Sequence, residues 1–238
     1  MIQTVPTTAS TNDDLAARLR NGEHIVEGDW LVADHQSAGK GRHGRSWADG
    51  KGNFMGSSVV HLTGKEPAAP SLALAVGLAL YETVLVQLEQ PRGLELKWPN
   101  DLLLGGVKLA GILLERVGDA VVVGIGVNLA HAPKVPGRKT IALGDLGPAP
   151  ERDFFAAQLA FHFDRELERW RGFGLGPLIA RWCVAAHPEG TRLSVTGPDG
   201  VVLSGAFAGL TPEGALRLCL ADGTERVIHA GEVSLEGA

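Results

Sequence analysis

The stretch from Leu94 to Leu129 reads LELKWPNDLLLGGVKLAGILLERVGDAVVVGIGVNL. Short apolar runs follow one another in quick order, and Gly105-Gly106 has the form of a two-residue hairpin turn, since glycine takes positive φ without penalty. This punctuation predicts a mixed, mostly antiparallel sheet. Upstream, Phe54 to Leu62 reads as a further strand. Leu72 to Leu88 reads as a helix that is apolar on most faces and therefore central. Leu31 to Asp34 is a short strand leading into a loop from Gln36 to Trp47. Ser10-Thr11-Asn12-Asp13-Asp14 supplies capping side chains and early acidic residues before Leu15 and Leu19, the way an amphipathic helix begins. Downstream, a Pro/Gly-rich stretch covers His131 to Pro150. Helices are expected over Asp153 to Trp170, where Phe155, Leu159, Phe163 and Leu167 recur every four residues, and over Leu178 to Ala186. After His187-Pro188-Glu189-Gly190 the pattern turns to alternating strands separated by GPDG, TPEG and ADGT. The chain thus reads as α+β, with a first domain over 1–187 and a small β-barrel over 188–238 of a size that leans on its neighbour.

Composition narrows the function classes. The 238 residues are 45% apolar, enough for a sizeable core, and carry a formal net charge of −5. Nonspecific binding to duplex DNA relies on a basic face, so this balance argues against it. Cys183 and Cys219 form neither a disulfide framework nor a metal-ligand spacing, which fits a reducing compartment and two half-buried thiols. The first residues, MIQTVPTTASTNDD, lack a basic segment followed by an apolar run, and the longest apolar stretch holds Glu82 and Gln87. A cytoplasmic protein without a membrane span is expected.

Four short constellations carry chemistry. Gly39-Lys40-Gly41-Arg42-His43-Gly44-Arg45 interleaves three glycines with three cations and a histidine. Glycines let backbone amides approach an anion, and the cations supply charge and bidentate donors to phosphate oxygens. The letters satisfy a GxGxxG fingerprint, but no helix-forming segment follows; a solvated, flexible loop is the plain alternative. In Lys97-Trp98-Pro99-Asn100-Asp101 the proline stiffens a turn that presents an amide and a carboxylate, which suits a ligand site and equally an ordinary turn. Lys108 lies in the apolar run Val107 to Glu115, where a buried ammonium needs an anion, protein or ligand, unless it faces water beside the glycine turn. Finally, Gly124-Ile125-Gly126-Val127-Asn128 puts two glycines in a strand, from close approach of a ligand or neighbouring backbone or from a β-bulge, and Asn128 offers an amide to a base edge.

Taken in order, Ser10-Thr11-Asn12, Gln36 with GKGRHGR, KWPND, KLAGILLE and GIGVN resemble the biotin protein ligases over about Thr8 to Leu129, and more weakly through the later helices. The resemblance implies a class II synthetase-like catalytic domain followed by an SH3-like barrel. It implies activation of biotin by ATP with Mg2+, then transfer to a lysine of a biotin carboxyl carrier protein. By the same resemblance Ser10, Thr11, Asn12, Gln36, Lys40, Gly41, Arg42, Lys108 and Gly111 would hold biotin. Arg42, Arg45, Trp47, Lys97, Asn100, Lys108 and Asn128 would hold ATP. The chemistry would rest on Lys108, Arg42 and Asp101, the last orienting or deprotonating the incoming amine, and no metal ligands are expected in the protein. Lys40 and His43 stand where many relatives have arginine. Some relatives carry an N-terminal winged helix-turn-helix; only nine residues precede Ser10, so no DNA binding is expected. A homodimer through an exposed sheet edge is a further expectation. A lipoate ligase and a noncatalytic biotin-binding module are the rival readings.

Overall fold

A computed structural model describes residues 1–135 and 139–236, so part of the Pro/Gly-rich stretch and the last two residues lie outside it. The chain begins with strand β1 (Ile2–Thr8), helix α1 (Thr11–Arg20), β2 (Trp30–Gln36), β3 (Phe54–His61) and α2 (Leu72–Leu85). The quoted stretch forms β4 (Leu94–Lys97), β5 (Asp101–Leu104), β6 (Val107–Val117) and β7 (Ala120–Val127). Together these strands make a seven-stranded sheet in the order β1-β2-β3-β7-β6-β5-β4. Only β1 and β2 run parallel; the other pairs are antiparallel, as the turn-rich sequence predicts. Helices α3 (Arg152–Phe173) and α4 (Leu175–Ala185) follow, joined through Gly174 at φ 72°.

The sheet's two faces have different cover, and that difference creates the site. Val32, Phe54, Val60, Val121, Val123, Ile125 and Ile112 point to one face and form the main core with α2, α3 and α4, including Leu80, Phe155, Phe163, Trp170 and Trp182. The other face is covered at one end only, by Leu15 and Ala16 of α1 on Leu31, Val59 and Val122. Along the rest of that face the register lines up Ser57, Gly124 and Leu113 in one row and Met55, Gly126 and Gly111 in the next. At the three glycines the strands supply no side chain of their own, which leaves a depression that Asn12, Trp47 and Lys108 reach into.

The remaining strands, β8 (Arg192–Thr196), β9 (Val202–Leu210), β10 (Leu216–Cys219), β11 (Glu225–Ile228) and β12 (Glu232–Leu235), form a separate five-stranded antiparallel sheet in the order β11-β10-β9-β8-β12. Its Leu193, Val195, Phe207, Leu216, Leu218 and Val233 belong to the same apolar cluster as the main core, so it is stabilised by burial against the larger unit.

Three expectations are corrected. Strand β1 has no counterpart in the sequence reading: its residues are mostly exposed, so no alternation marks it, and Pro6 is tolerated because an edge strand leaves donors unused. Helix α2 stops at Leu85, where Val86 reaches solvent, rather than running to Leu88. The glycines of β7 mark no bulge, since its pairing with β6 runs unshifted from Ala120 to Val127.

Candidate functional site

The depression is the floor of an open cleft, with a cavity of about 100 Å³ at its heart, that collects nearly every residue singled out in the sequence. Ser10, Thr11 and Asn12 reach it because Ser10 caps α1, its hydroxyl accepting from the Asp13 amide at 3.5 Å, so the helix begins at the cleft wall. Gln36 arrives at the end of β2, where Asp49 accepts its backbone N–H at 3.1 Å. Thr11 N donates to Gln36 Oε1 at 2.7 Å. Two residues without a sequence-based role complete this wall: Ser57 Oγ lies 2.7 Å from Thr11 Oγ1 and donates to Asn12 Oδ1 at 2.6 Å, and Glu115 accepts from Asn12 Nδ2 at 2.6 Å.

The glycine-rich segment is a folded hairpin, which settles the question of a merely solvated loop. Gly41 N donates to Arg45 O at 2.7 Å and Trp47 N to Gly39 O at 2.8 Å. A Cβ on Gly39 would lie 2.8 Å from the Trp47 carbonyl, and His43 and Gly44 turn the chain at φ 56° and 70°. Lys40 sits at the rim, bonded to Asp13 at 2.6 Å. His43 is exposed at the mouth of the cleft, which it helps to line. Arg42 turns inward and donates to Asn100 Oδ1 at 3.1 Å; burial pulls its pKa below the usual arginine value. Asn100 also donates to Ile112 O at 2.7 Å, so it buckles loop, turn and β6 together.

Asp101 is the hub of the cationic wall. Its Oδ1 accepts from Lys108 Nζ at 2.6 Å and its Oδ2 lies 2.9 Å from Lys97 Nζ. Burial alone would push this carboxyl up, but the two ammoniums outweigh it and hold the group below the ordinary carboxylate range. The anion that Lys108 needs is thus within the protein, across the β5–β6 hairpin. The Lys108 ammonium also stands 5.7 Å from the centroid of the Trp47 ring. That ring fills the space over Gly126 and Gly111, where a Cβ would lie 2.3 Å and 3.2 Å from its carbons. The glycines of β6 and β7 therefore answer to side-chain approach.

Strand β12 and the β9–β10 turn close the far side. Lys97 Nζ donates to Val233 O at 2.9 Å, Trp98 Nε1 to Gly214 O at 3.2 Å, and Arg45 pairs with Glu232. No local sequence signal points to Glu232 or Val233, because their role arises from packing across the chain. Asn128 is the exception among the expected residues. It is buried one step past β7, donates to Ile141 O at 3.1 Å, keeps Oδ1 without a partner, and does not line the cleft. Among the described residues, the cleft wall carries five cations (Lys40, Arg42, Arg45, Lys97, Lys108) against Asp101 and Glu232, in a chain whose net charge is −5. No cluster of His, Cys, Asp and Glu able to hold a metal occurs among them, and no helix is long and apolar enough to cross a membrane.

Comparison with known proteins agrees with this geometry. Residues 5–129 match the Biotin/lipoate A/B protein ligase family, and residues 190–236 match the Biotin protein ligase C terminal domain. The chain is 37% identical to a biotin–[acetyl-CoA-carboxylase] ligase of Mycobacterium tuberculosis, covering 98% of this chain and 88% of that one. It is 36% identical to the enzyme of the same name from Paracoccus denitrificans, covering 96% and 99%. The structure of a biotin protein ligase from Aquifex aeolicus in complex with biotin and ATP superposes with a TM-score of 0.86 over 100% of this chain and 99% of that one; at 24% identity this likeness shows the fold. The relatives are named for biotin, so the lipoate alternative gains nothing from them. The chain belongs to the Biotin/lipoate A/B protein ligase family and, within it, to the biotin protein ligases.

Proposed function

We propose that the enzyme activates biotin with ATP and transfers it to a lysine of a biotin carboxyl carrier protein or domain. The observation that carries this reading is the cleft itself, a cationic wall beside a neutral hydrogen-bonding wall, matched to a ligand with a polar ring at one end and an anionic centre at the other. Ser10, Thr11, Asn12 and Gln36 are suited to the ureido ring; Gly111 is assigned to the floor under the tail, where the Lys108 and Trp47 side chains now lie and would have to move aside. In the first step the biotin carboxylate attacks the α-phosphorus, pyrophosphate leaves, and a mixed anhydride, biotinyl-5'-AMP, forms. Charge gathers on the phosphoryl oxygens, and we assign Lys108 and Arg42 to stabilise it, with Arg45, Lys97 and Asn100, which line the same cleft, also assigned to ATP. Lys40-Gly41-Arg42 covers the adenylate and keeps water from it. Trp47, which lines the cleft, is assigned to the adenine; Asn128 is assigned there by family resemblance, although it lies outside the cleft lining.

In the second step the amine of the carrier lysine attacks the anhydride carbonyl and AMP leaves. Asp101 orients this region through its lysines; a carboxyl held below its ordinary range is a weak base, which favours orientation over deprotonation. Magnesium would be carried by the triphosphate and would shield its charge; Asp101, with both oxygens paired to lysines, is assigned to hold those lysines and not the metal. We assign 1–187 to catalysis and 188–238 to a C-terminal barrel domain that completes the cleft, and expect the enzyme in the cytoplasm. The exposed edge of β1 offers backbone groups to a second copy, which sedimentation tests. Incubation with biotin, MgATP and an isolated carrier domain should add one biotin mass to a single lysine. A carrier with that lysine replaced by arginine should stay unmodified, and equal labelling of both would contradict the reading.

A further inference from the structure

We propose that Glu115 is a positioning residue that fixes the donor–acceptor polarity of the ring-binding wall; this rests on the biotin reading above. Glu115 shares a face of β6 with Gly111 and Leu113 and ends an unbroken chain of hydrogen bonds. A carboxylate only accepts, so Asn12 must present its Nδ2 to Glu115, at 2.6 Å. The carboxamide is then held with Oδ1 toward Ser57, whose hydroxyl donates to it at 2.6 Å. Ser57 has spent its only proton, so across the 2.7 Å contact it accepts from Thr11 Oγ1, which it draws from the longer 3.1 Å contact of the same hydroxyl with Gln36 Oε1. Thr11 in turn is left with oxygen lone pairs and no free proton. Its backbone N–H occupies Gln36 Oε1 at 2.7 Å, which leaves the Gln36 amide nitrogen as the donor.

The wall therefore shows a hydroxyl acceptor at Thr11 beside an amide donor at Gln36. That is the complement of a cyclic urea, which offers an N–H next to a carbonyl oxygen. Gly124 makes the relay possible, since a Cβ there would stand 2.2 Å from Asn12 Oδ1. Without a fixed acceptor at its far end, Asn12 can turn over and Ser57 can donate to Thr11, which then turns its own proton to Gln36 Oε1 at 3.1 Å and offers the ring one lone pair fewer.

The test is Glu115→Gln, which keeps the shape but can either donate to or accept from Asn12. In biotin-dependent exchange of labelled pyrophosphate into ATP, the KM for biotin should rise about five- to tenfold, the worth of one properly directed hydrogen bond. The kcat at saturating biotin and the KM for ATP should stay within about twofold of the parent. Ser57→Ala interrupts the relay at its middle, so it should raise the KM similarly, and adding Glu115→Gln to it should raise the KM no further. A pure stapling role for Glu115 would instead lower the melting temperature without moving the KM. An unchanged KM, additive effects of the two substitutions, or a fall in kcat alone would overturn the proposal. No biotin-dependent exchange by the unaltered enzyme would overturn the underlying reading itself.

Discussion

Replacing Asp101 by asparagine removes one charge from the centre of the cationic wall while keeping its shape. Its side chain is 12% exposed, and the lysines it holds, Lys108 at 2.6 Å and Lys97 at 2.9 Å, are 24% and 17% exposed. Breaking a buried pair by removing one partner costs about 3–5 kcal/mol, and the lysines' remaining contact with water favours the lower end, about 3 kcal/mol. For a chain of this length each kcal/mol moves the melting temperature by about 2–4 °C, so Asp101→Asn should melt about 6–12 °C lower at neutral pH. The folded pKa of Asp101 is depressed, so its stabilisation is fully present above the unfolded value of about 3.9 and fades as pH falls through the lower folded value. The deficit should therefore be constant from pH 6 to 8 and shrink only below about pH 4. Differential scanning calorimetry across that range reads it directly. Saturating biotinyl-5'-AMP brings a phosphate for the lysines and should narrow the gap. A variant that melts within a degree of the parent would refute the hub assignment. Loss of transfer to the carrier with pyrophosphate exchange intact would return Asp101 to the role of general base.

Other consequences follow from single contacts. Arg42→Gly cuts the tie between the glycine-rich loop and Asn100, so labelled adenylate should escape about 100-fold faster in a rapid-filtration assay; unchanged retention would count against a covering loop. Gly126→Ala places a methyl 2.3 Å from the Trp47 ring carbons and must expel the ring, raising the KM for ATP about tenfold while that for biotin moves less. Far from the cleft, Glu166 is buried and bonded to Arg169 at 2.5 Å and Arg181 at 2.6 Å. These arginines are about a third exposed and solvent-screened, so Glu166→Gln should cost about 2 kcal/mol of stability, with both KM values untouched at 25 °C.

How much the sequence revealed depends on the range of the interaction involved. The cap at Ser10, the Gly105-Gly106 hairpin and the apolar α2 are local and were readable, because each is encoded within a few residues. The need of Lys108 for an anion was also readable, and its partner Asp101 lies just seven residues away across the same hairpin. Ser57 and Glu115 were not readable. They act on Asn12 from positions 45 and 103 residues distant, and neither carries a composition signal. The same holds for Glu232 and Val233, which meet Arg45 and Lys97 only after the C-terminal sheet has docked. Gly124 and Gly126 announced crowding, but what crowds them, Asn12 and Trp47, is fixed by the fold. Strand β1 escaped because an exposed edge leaves no hydrophobic alternation.

The reaction proposed for this cleft is the adenylation of biotin. Exchange of labelled pyrophosphate into ATP by the purified enzyme with magnesium, with biotin and lipoate supplied in parallel, tests it most directly. Exchange should depend on biotin and be negligible with lipoate. Exchange driven by lipoate, or none with biotin in a protein that binds it calorimetrically, would contradict the account.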